Sequence, residues 1–216
     1  MTPLKIAFSG VHSTGKTTAV NALAERYSGT GMRVVRIPEI ARSCPWPVNR
    51  AAGAEAQRWI FHRQMTAELE AAHEAAGDGG DSLILCDRTA LDSLVYSKWH
   101  EERSRGGLGA KSWAWVPVIQ HYFKAVCLPS YDAVFVTCLR GGAAEDGFRD
   151  TDTVWQQRIH LMFDSAWGEI RRQMELFGRT KPLILDYTTI EDAEREIDML
   201  LPPGRRPPLR TAKKHA

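Results

Sequence analysis

Residues 5–27 read KIAFSGVHSTGKTTAVNALAERY, and this stretch decides the fold. Lys5–Ser9 is a short apolar run of the kind that forms a strand covered on both faces. Gly10-Val11-His12-Ser13-Thr14-Gly15-Lys16-Thr17 then matches GxxxxGK[ST] at every fixed position. Lys16–Tyr27 continues as a helical segment. Strand, glycine-framed turn and helix in that order make a loop whose backbone N–H groups point inward at anionic oxygens, with the helix N-terminus behind them. Gly10 and Gly15 allow the tight turn. Lys16 reaches the outer phosphates of a nucleotide, and the Thr17 hydroxyl is a ligand for Mg2+. The expected nucleotide-contacting set is Gly10, Ser13, Thr14, Gly15, Lys16, Thr17 and Thr18. No side-chain chemistry is assigned to His12 or Ser13.

Working outward, four more apolar runs have strand character: Arg33–Ile37, Ser82–Asp87, Ala133–Cys138 and Leu183–Asp186. Helical stretches lie between them. Ala54–Ala76 spaces Ile60, Met65, Leu69 and Ala72 along one side, and Ala90–Trp99 follows the third strand. Trp115–Cys127 is a further helix candidate. Thr153–Phe177 carries Ile159, Met162, Phe163, Ile170, Met174 and Phe177, and Ile190–Leu200 comes last. Strand–helix alternation predicts a three-layer α/β/α fold around a parallel five-stranded sheet. One domain spans 1–201, followed by a proline-rich basic tail at 202–216 that is expected to be disordered.

Composition narrows the function classes. The 216 residues include 28 Lys+Arg and 26 Asp+Glu, a formal net charge of +2. A near-neutral balance does not describe a protein that coats nucleic acid by charge alone. No apolar run reaches the ~20 residues of a membrane span, and MTPLKIAFSG lacks the layout of a secretory signal. Cys44, Cys86, Cys127 and Cys138 are scattered, without a CxxC pair, and read as reduced thiols of a cytoplasmic protein. The 7 histidines form no HExxH spacing.

The remaining candidates fall at strand ends. Asp87 closes SLILCD, four apolar residues and then a carboxylate, at the end of a strand that a parallel sheet places beside the loop. It is the expected Mg2+ partner of Thr17, although an Asp there also suits a helix cap. Asp132 is a weaker rival because it begins its strand. Glu39 follows the second strand in RVVRIPEIAR and is placed to orient and deprotonate an acceptor hydroxyl; a helix-start Glu is the plainer reading. Arg42 is three residues on and shares its face if a helix begins there. Arg88, next to Asp87, has the planar fork that holds two phosphate or carboxylate oxygens. A buried ion pair is its plainer role.

These segments carry a family resemblance. GVHSTGKTT, PEIAR, LILCDRTALDSLVY and YDAVFVTCLRGGAAEDGFRDTDTVWQQRIH resemble the P-loop nucleoside and nucleotide kinase superfamily, most closely its NadR-like AAA_28 group, which includes ribosylnicotinamide kinase domains. The DRT element is similar to the DR[ST] or ERS element of deoxynucleoside and thymidylate kinases. The resemblance implies ATP- and Mg2+-dependent transfer to a nucleoside-like acceptor. EDGFRDTD resembles the family's DDGxR stretch, and its physical reading is a lid at about 140–152 whose Arg149 and Arg140 offset phosphoryl charge. A solvated, salt-bridged loop is the alternative.

For the acceptor, Trp46 in CPWPVN, the pair Trp113 and Trp115, and Tyr96 are candidate contacts, with Asn49 and Gln57 as polar readers. Core packing is the other role of those tryptophans. Two further functions stay open. One is a kinase acting on a polynucleotide, at an end hydroxyl or a hydroxymethylated base, with nucleic acid held by the basic tail. The other is a P-loop ATPase switch with no acceptor. A homodimer is a further open expectation.

Overall fold

The structure is a computed structural model that describes residues 3–77, 82–104, 113–139 and 151–207. Five parallel strands form one sheet in the order β2-β3-β1-β4-β5: β1 is Leu4–Ser9, β2 Arg33–Ile37, β3 Ser82–Asp87, β4 Ala133–Thr137 and β5 Leu183–Tyr187. Burial follows from that order. The three inner strands are almost wholly buried, whereas β2 and β5, at the edges, are half-exposed. This is why the inner strands read as unbroken apolar runs.

Helix α1 is Lys16–Ser28, α2 Ala54–Ala76, α3 Ala90–Ser104, α4 Val116–Tyr122, α5 Thr153–Leu176 and α6 Ile190–Leu200. Alternate strand residues feed opposite layers. Ile6, Phe8, Leu83, Leu85 and Phe135 pack with α1 and α6. Ala7, Ile84, Cys86, Val134 and Val136 pack with α2 through α5. The five-stranded parallel sheet with helices on both faces is the three-layer architecture expected.

Local departures have physical causes. The Trp115–Cys127 helix is α-helical only over Val116–Tyr122, then widens into a π turn at Phe123–Cys127. On α2, Leu69 is 65% exposed, while Gln57, Gln64 and Glu68 are buried. On α5, Phe177 lies just past the helix and is exposed, whereas Trp155 and Trp167 join the core. The apolar period mislocates the buried face of α2 because polar side chains there have buried partners, described below. All four cysteines are free thiols. Of the tail, residues 203–205 form a short turn and the Arg206 Nε donates to the Leu201 carbonyl; residues 208–216 lie outside the described residues. No helix among the described residues is long and apolar enough to cross a membrane.

Candidate active site

A parallel sheet gathers the carboxyl ends of its strands on one edge, and the chain reverses direction about β1, between β3 and β4. The loop Gly10–Thr17 opens from that end of β1. Its backbone is unusual where the motif requires it: φ is +140° at Gly10, +62° at Ser13 and +83° at Gly15. At Gly10 a Cβ would sit 2.3 Å from Thr137 Oγ1, so only glycine fits between the loop and β4. At Gly15, the residue that starts α1, the left-handed backbone sets the requirement and the space is open.

Lys16 folds back over the loop. Its ammonium donates to the Val11 carbonyl at 2.5 Å and to Thr14 Oγ1 at 3.1 Å. Burial pulls the Lys16 pKa down to about 7, with the Arg88 charge adding to the effect and Asp92, Asp87 and Glu39 opposing it. Thr17 Oγ1 donates to Asp87 Oδ2 at 2.5 Å. Asp87 Oδ1 and Ser13 Oγ are buried without a hydrogen-bond partner. Burial raises the Asp87 pKa, against the Thr17 hydrogen bond and the charges of Arg88 and Lys16. A carboxylate with an unsatisfied oxygen beside a hydroxyl is a hard-oxygen set that suits Mg2+, which is held by one or two carboxylates plus phosphate oxygens. Thr18 is exposed in the first turn of α1. Asp132 is excluded from this set. Its Oδ2 accepts from the Lys5 amide and its Oδ1 from Lys181, at the opposite edge of the sheet.

The opposite wall is built around Arg88, which holds a φ of +98°, an uncommon conformation outside glycine. Its Nε and Nη2 both meet Glu39 Oε1, at 2.8 and 2.6 Å. Its Nη1 donates to the Gly10 carbonyl at 3.3 Å and to Asp92 Oδ1 at 3.2 Å. Arg42 Nε donates to Glu39 Oε2 at 3.0 Å. Burial works against a charged Glu39, but Arg88, Lys16 and Arg42 outweigh it and hold its pKa at about 2.

Two residues that bind this wall together were not anticipated. Asp92 is 2% exposed and accepts from Ser9 Oγ, the Gly10 amide, and both the amide and hydroxyl of Thr89. One carboxylate thus ties the end of β1, the first residue of the loop and the start of α3. Its signal was present in Thr89-Ala90-Leu91-Asp92, the Thr-x-x-Asp spacing of a helix start. His12 is buried, stacks on Trp155 at 5.0 Å and shares a hydrogen bond with the Tyr96 hydroxyl at 3.4 Å. Its position in the motif is variable, so the motif gave no signal for it.

Between these walls lies a pocket lined by His12, Glu39, Asn49, Gln57, Arg88 and Tyr96, among others. It brings together Glu39, Arg88, Asn49, Gln57 and Tyr96, five of the residues that the sequence offered as candidate acceptor contacts. Arg42 contributes through Glu39. Trp46 is not brought to it: the ring is 45% exposed and sits edge-to-face on Trp59. Trp113 is buried against His100 and Trp115, so this pair covers core and does not line this pocket. Arg140 and Arg149 lie outside the described residues. No group of three or more His, Cys, Asp or Glu arranged to hold a metal ion is found among the described residues.

The chain is similar over its whole length to the solved structure of a NadR protein in complex with NR, at 19% identity and a TM-score of 0.63. It spans 54% of that protein. It is also similar to thymidylate kinase from Ehrlichia chaffeensis, at 14% identity and a TM-score of 0.52, over 93% of this chain and all of that one. These identities speak to the fold alone. No curated protein matches the chain. The AAA_28 family, described as an AAA domain, matches residues 5–180. With the loop, the Asp87 strand end and the sheet order agreeing, the chain belongs to the AAA_28 family and has the fold of its NadR-like P-loop group.

Proposed function

We propose that this chain is an ATP- and Mg2+-dependent kinase that transfers the γ-phosphoryl group to a nucleoside- or nucleotide-like small molecule. The observation that supports the reading is an ionised carboxylate, Glu39, that lines a pocket beside the phosphate loop, is held by the same Arg88 that bonds the Gly10 carbonyl, and lies near enough to Lys16 and Asp87 to feel their charges. A hydrolytic switch has no need of a second pocket next to its phosphate loop.

The residues divide the work. The loop amides and Lys16 hold the triphosphate, and Lys16 with Arg88 offsets charge on the moving group. Thr17 and Asp87 would hold Mg2+, which supplies positive charge against the phosphate oxygens when bound. Glu39 with a pKa of about 2 is a weak base. Phosphoryl transfer passes through a loose transition state, in which the attacking hydroxyl keeps its proton until late. Orientation of that hydroxyl is therefore the first task of Glu39, and late proton acceptance the second. Asp92 acts through Arg88, fixing the guanidinium that aims Glu39.

The pocket volume is about 40 Å3, against ~300 Å3 or more for sites that enclose small molecules. Acceptor binding must widen it. The wall made of single 3-10 turns at Ile40–Ser43 and Asn49–Ala51 has fewer backbone bonds to break than α2 or α3. Closure around the acceptor would then exclude water, which a kinase requires.

The test is incubation with γ-labelled ATP and a panel of nucleosides, nucleotides and ribosylnicotinamide. Label on an acceptor supports the reading. Label released only as free phosphate, at a rate no acceptor changes, would replace it with an ATPase switch.

A further inference from the structure

A groove of about 410 Å3 runs between α3, α4 and α5 and has no part in the chemistry above. Helix α3 packs closely on both α4 and α5, which pack far less closely on one another. The same helix divides two sites. Leu91, Leu94 and Val95 line the groove, whereas Asp92, Ser93 and Tyr96 line the Glu39 pocket, as the helical period requires of opposite faces. On α5, Met162, Ala166 and Ile170 are spaced by four and share one face, and the small middle side chain leaves the groove open. The floor is apolar, with Leu94, Val95 and Phe123 buried. Past Lys124 and Ile170, which line both, the groove continues into a hollow of about 240 Å3 beside Leu128, Met174 and Phe177.

The charges around this apolar floor do not balance. Lys98 is half-buried, and burial together with the neighbouring Lys124 charge lowers its pKa, against Glu101 and Glu102. Lys124 donates to Gln173 Oε1 at 3.1 Å. Among the described residues neither lysine has a carboxylate within 4.0 Å. Both carboxylates that line the groove are engaged elsewhere. Glu102 meets Arg158 at 3.7 Å, and Glu169 accepts from Arg172 and, at 2.6 Å, from Gln173. The adjoining hollow adds Arg179 and His121 and, among the described residues, no carboxylate. Two ammonium groups thus sit close enough to disfavour each other, over an apolar surface, with no carboxylate paired to them.

We infer that this groove binds a small organic anion, with its apolar body on the floor between α3 and α5 and its carboxylate or similar head at Lys98 and Lys124. The groove has the size of a small-molecule site, ~300–1,000 Å3. An anion relieves the like-charged pair and takes charge-assisted hydrogen bonds from it, while apolar ligand surface buried on the floor supplies the rest of the affinity. The groove shares no lining residue with the Glu39 pocket, so such binding stands apart from the kinase reading.

The probe is anilinonaphthalene sulfonate, an aromatic body with one anionic head, titrated into the full chain. A single site per chain is expected, with enhanced emission that saturating ATP and Mg2+ leave unchanged. Lys98→Gln/Lys124→Gln should weaken binding by about tenfold or more. Lys98→Arg/Lys124→Arg should retain it, and Ala166→Phe, which fills the groove, should abolish it. Displacement by ATP, or affinity unchanged in the glutamine pair or in Ala166→Phe, overturns the proposal. A second measurement needs no variant to fold. On the unaltered chain, decanoate should displace the probe about tenfold or more effectively than decyltrimethylammonium, and equal displacement overturns the proposal. Sedimentation velocity covers the other occupant. A concentration-dependent dimer that Ala166→Phe dissociates gives the groove to a second copy and overturns the small-anion assignment.

Discussion

Two buried carboxylate hubs sit at opposite ends of β1, and they differ in how completely they are satisfied. At the amino end, Glu68 accepts from Lys5 at 2.5 Å, from Tyr131 at 2.8 Å and from Gln64 at 2.9 Å. Lys5 also meets the Tyr131 ring and Ser130. At the carboxyl end, Asp92 and Arg88 are as densely bonded, yet Asp87 Oδ1 and Ser13 Oγ next to them have no hydrogen-bond partner. Gln64 touches both hubs, through Glu68 and through the Arg88 carbonyl. A saturated polar cluster holds the fold. A cluster with buried atoms left over is arranged for something that arrives later.

Breaking the amino-end hub and removing the Lys16 cation beside the carboxyl-end hub should therefore have opposite consequences. Glu68→Ala strands the Lys5 ammonium in the core and should cost on the order of 3–5 kcal/mol of stability, read by chemical denaturation. Lys16→Ala should lower transfer by at least ~10²–10³-fold with the melting temperature unchanged or raised, since it deletes a buried cation whose charge burial disfavours. If Lys16→Ala unfolds the chain as Glu68→Ala does, the contrast fails.

Protonation sharpens the same contrast. Between pH 7 and 10.5 the unfolded chain keeps the Lys16 proton that the native chain has released. The unfolded state then binds more protons, so this group makes stability rise with pH across that window. Phosphates return the charge, so ATP binding at pH 8 should take up close to one proton and at pH 6 almost none. Calorimetry in buffers of different ionisation heat measures this, and buffer-independent heats at pH 8 would contradict it. Glu39 also makes stability rise with pH, in a lower window: its pairing contributes in full above the usual carboxylate range and is lost as pH falls toward about 2.

Smaller effects follow. Gly10→Ala meets Thr137 at 2.3 Å from a φ of +140° and should cost ~1–3 kcal/mol along with nucleotide affinity. Trp46→Ala should cost no more than ~1.5 kcal/mol, the upper range of an aromatic pair, and leave the acceptor KM within twofold. A large KM rise in Trp46→Ala would return that ring to the acceptor site.

What was legible in the sequence follows the same division. The loop, the strand ends at Asp87 and Glu39, and all five strands were readable, because each depends on contiguous residues and on buried strands being apolar throughout. The rest depends on residues distant in the chain. Gln64 and Glu68 lie inside because Lys5 and the Arg88 carbonyl await them there, and no period along α2 reports that. Leu69 was placed inward on hydrophobicity alone and is exposed. Trp46 has the chemistry of a stacking residue but stands outside the pocket, while His12 lines it from a motif position that tolerates many residues. Arg42 and Arg88 were candidates for substrate or for pairing with Glu39, and the structure pairs both with it.

The central claim is that Glu39 serves the acceptor and not the nucleotide. Substituting Glu39→Gln and following both ATP binding and transfer to the best acceptor tests it most directly. The account predicts nucleotide affinity within twofold of the parent and transfer lowered by ~10²–10⁴. Unchanged transfer, or a loss confined to ATP affinity, would contradict it.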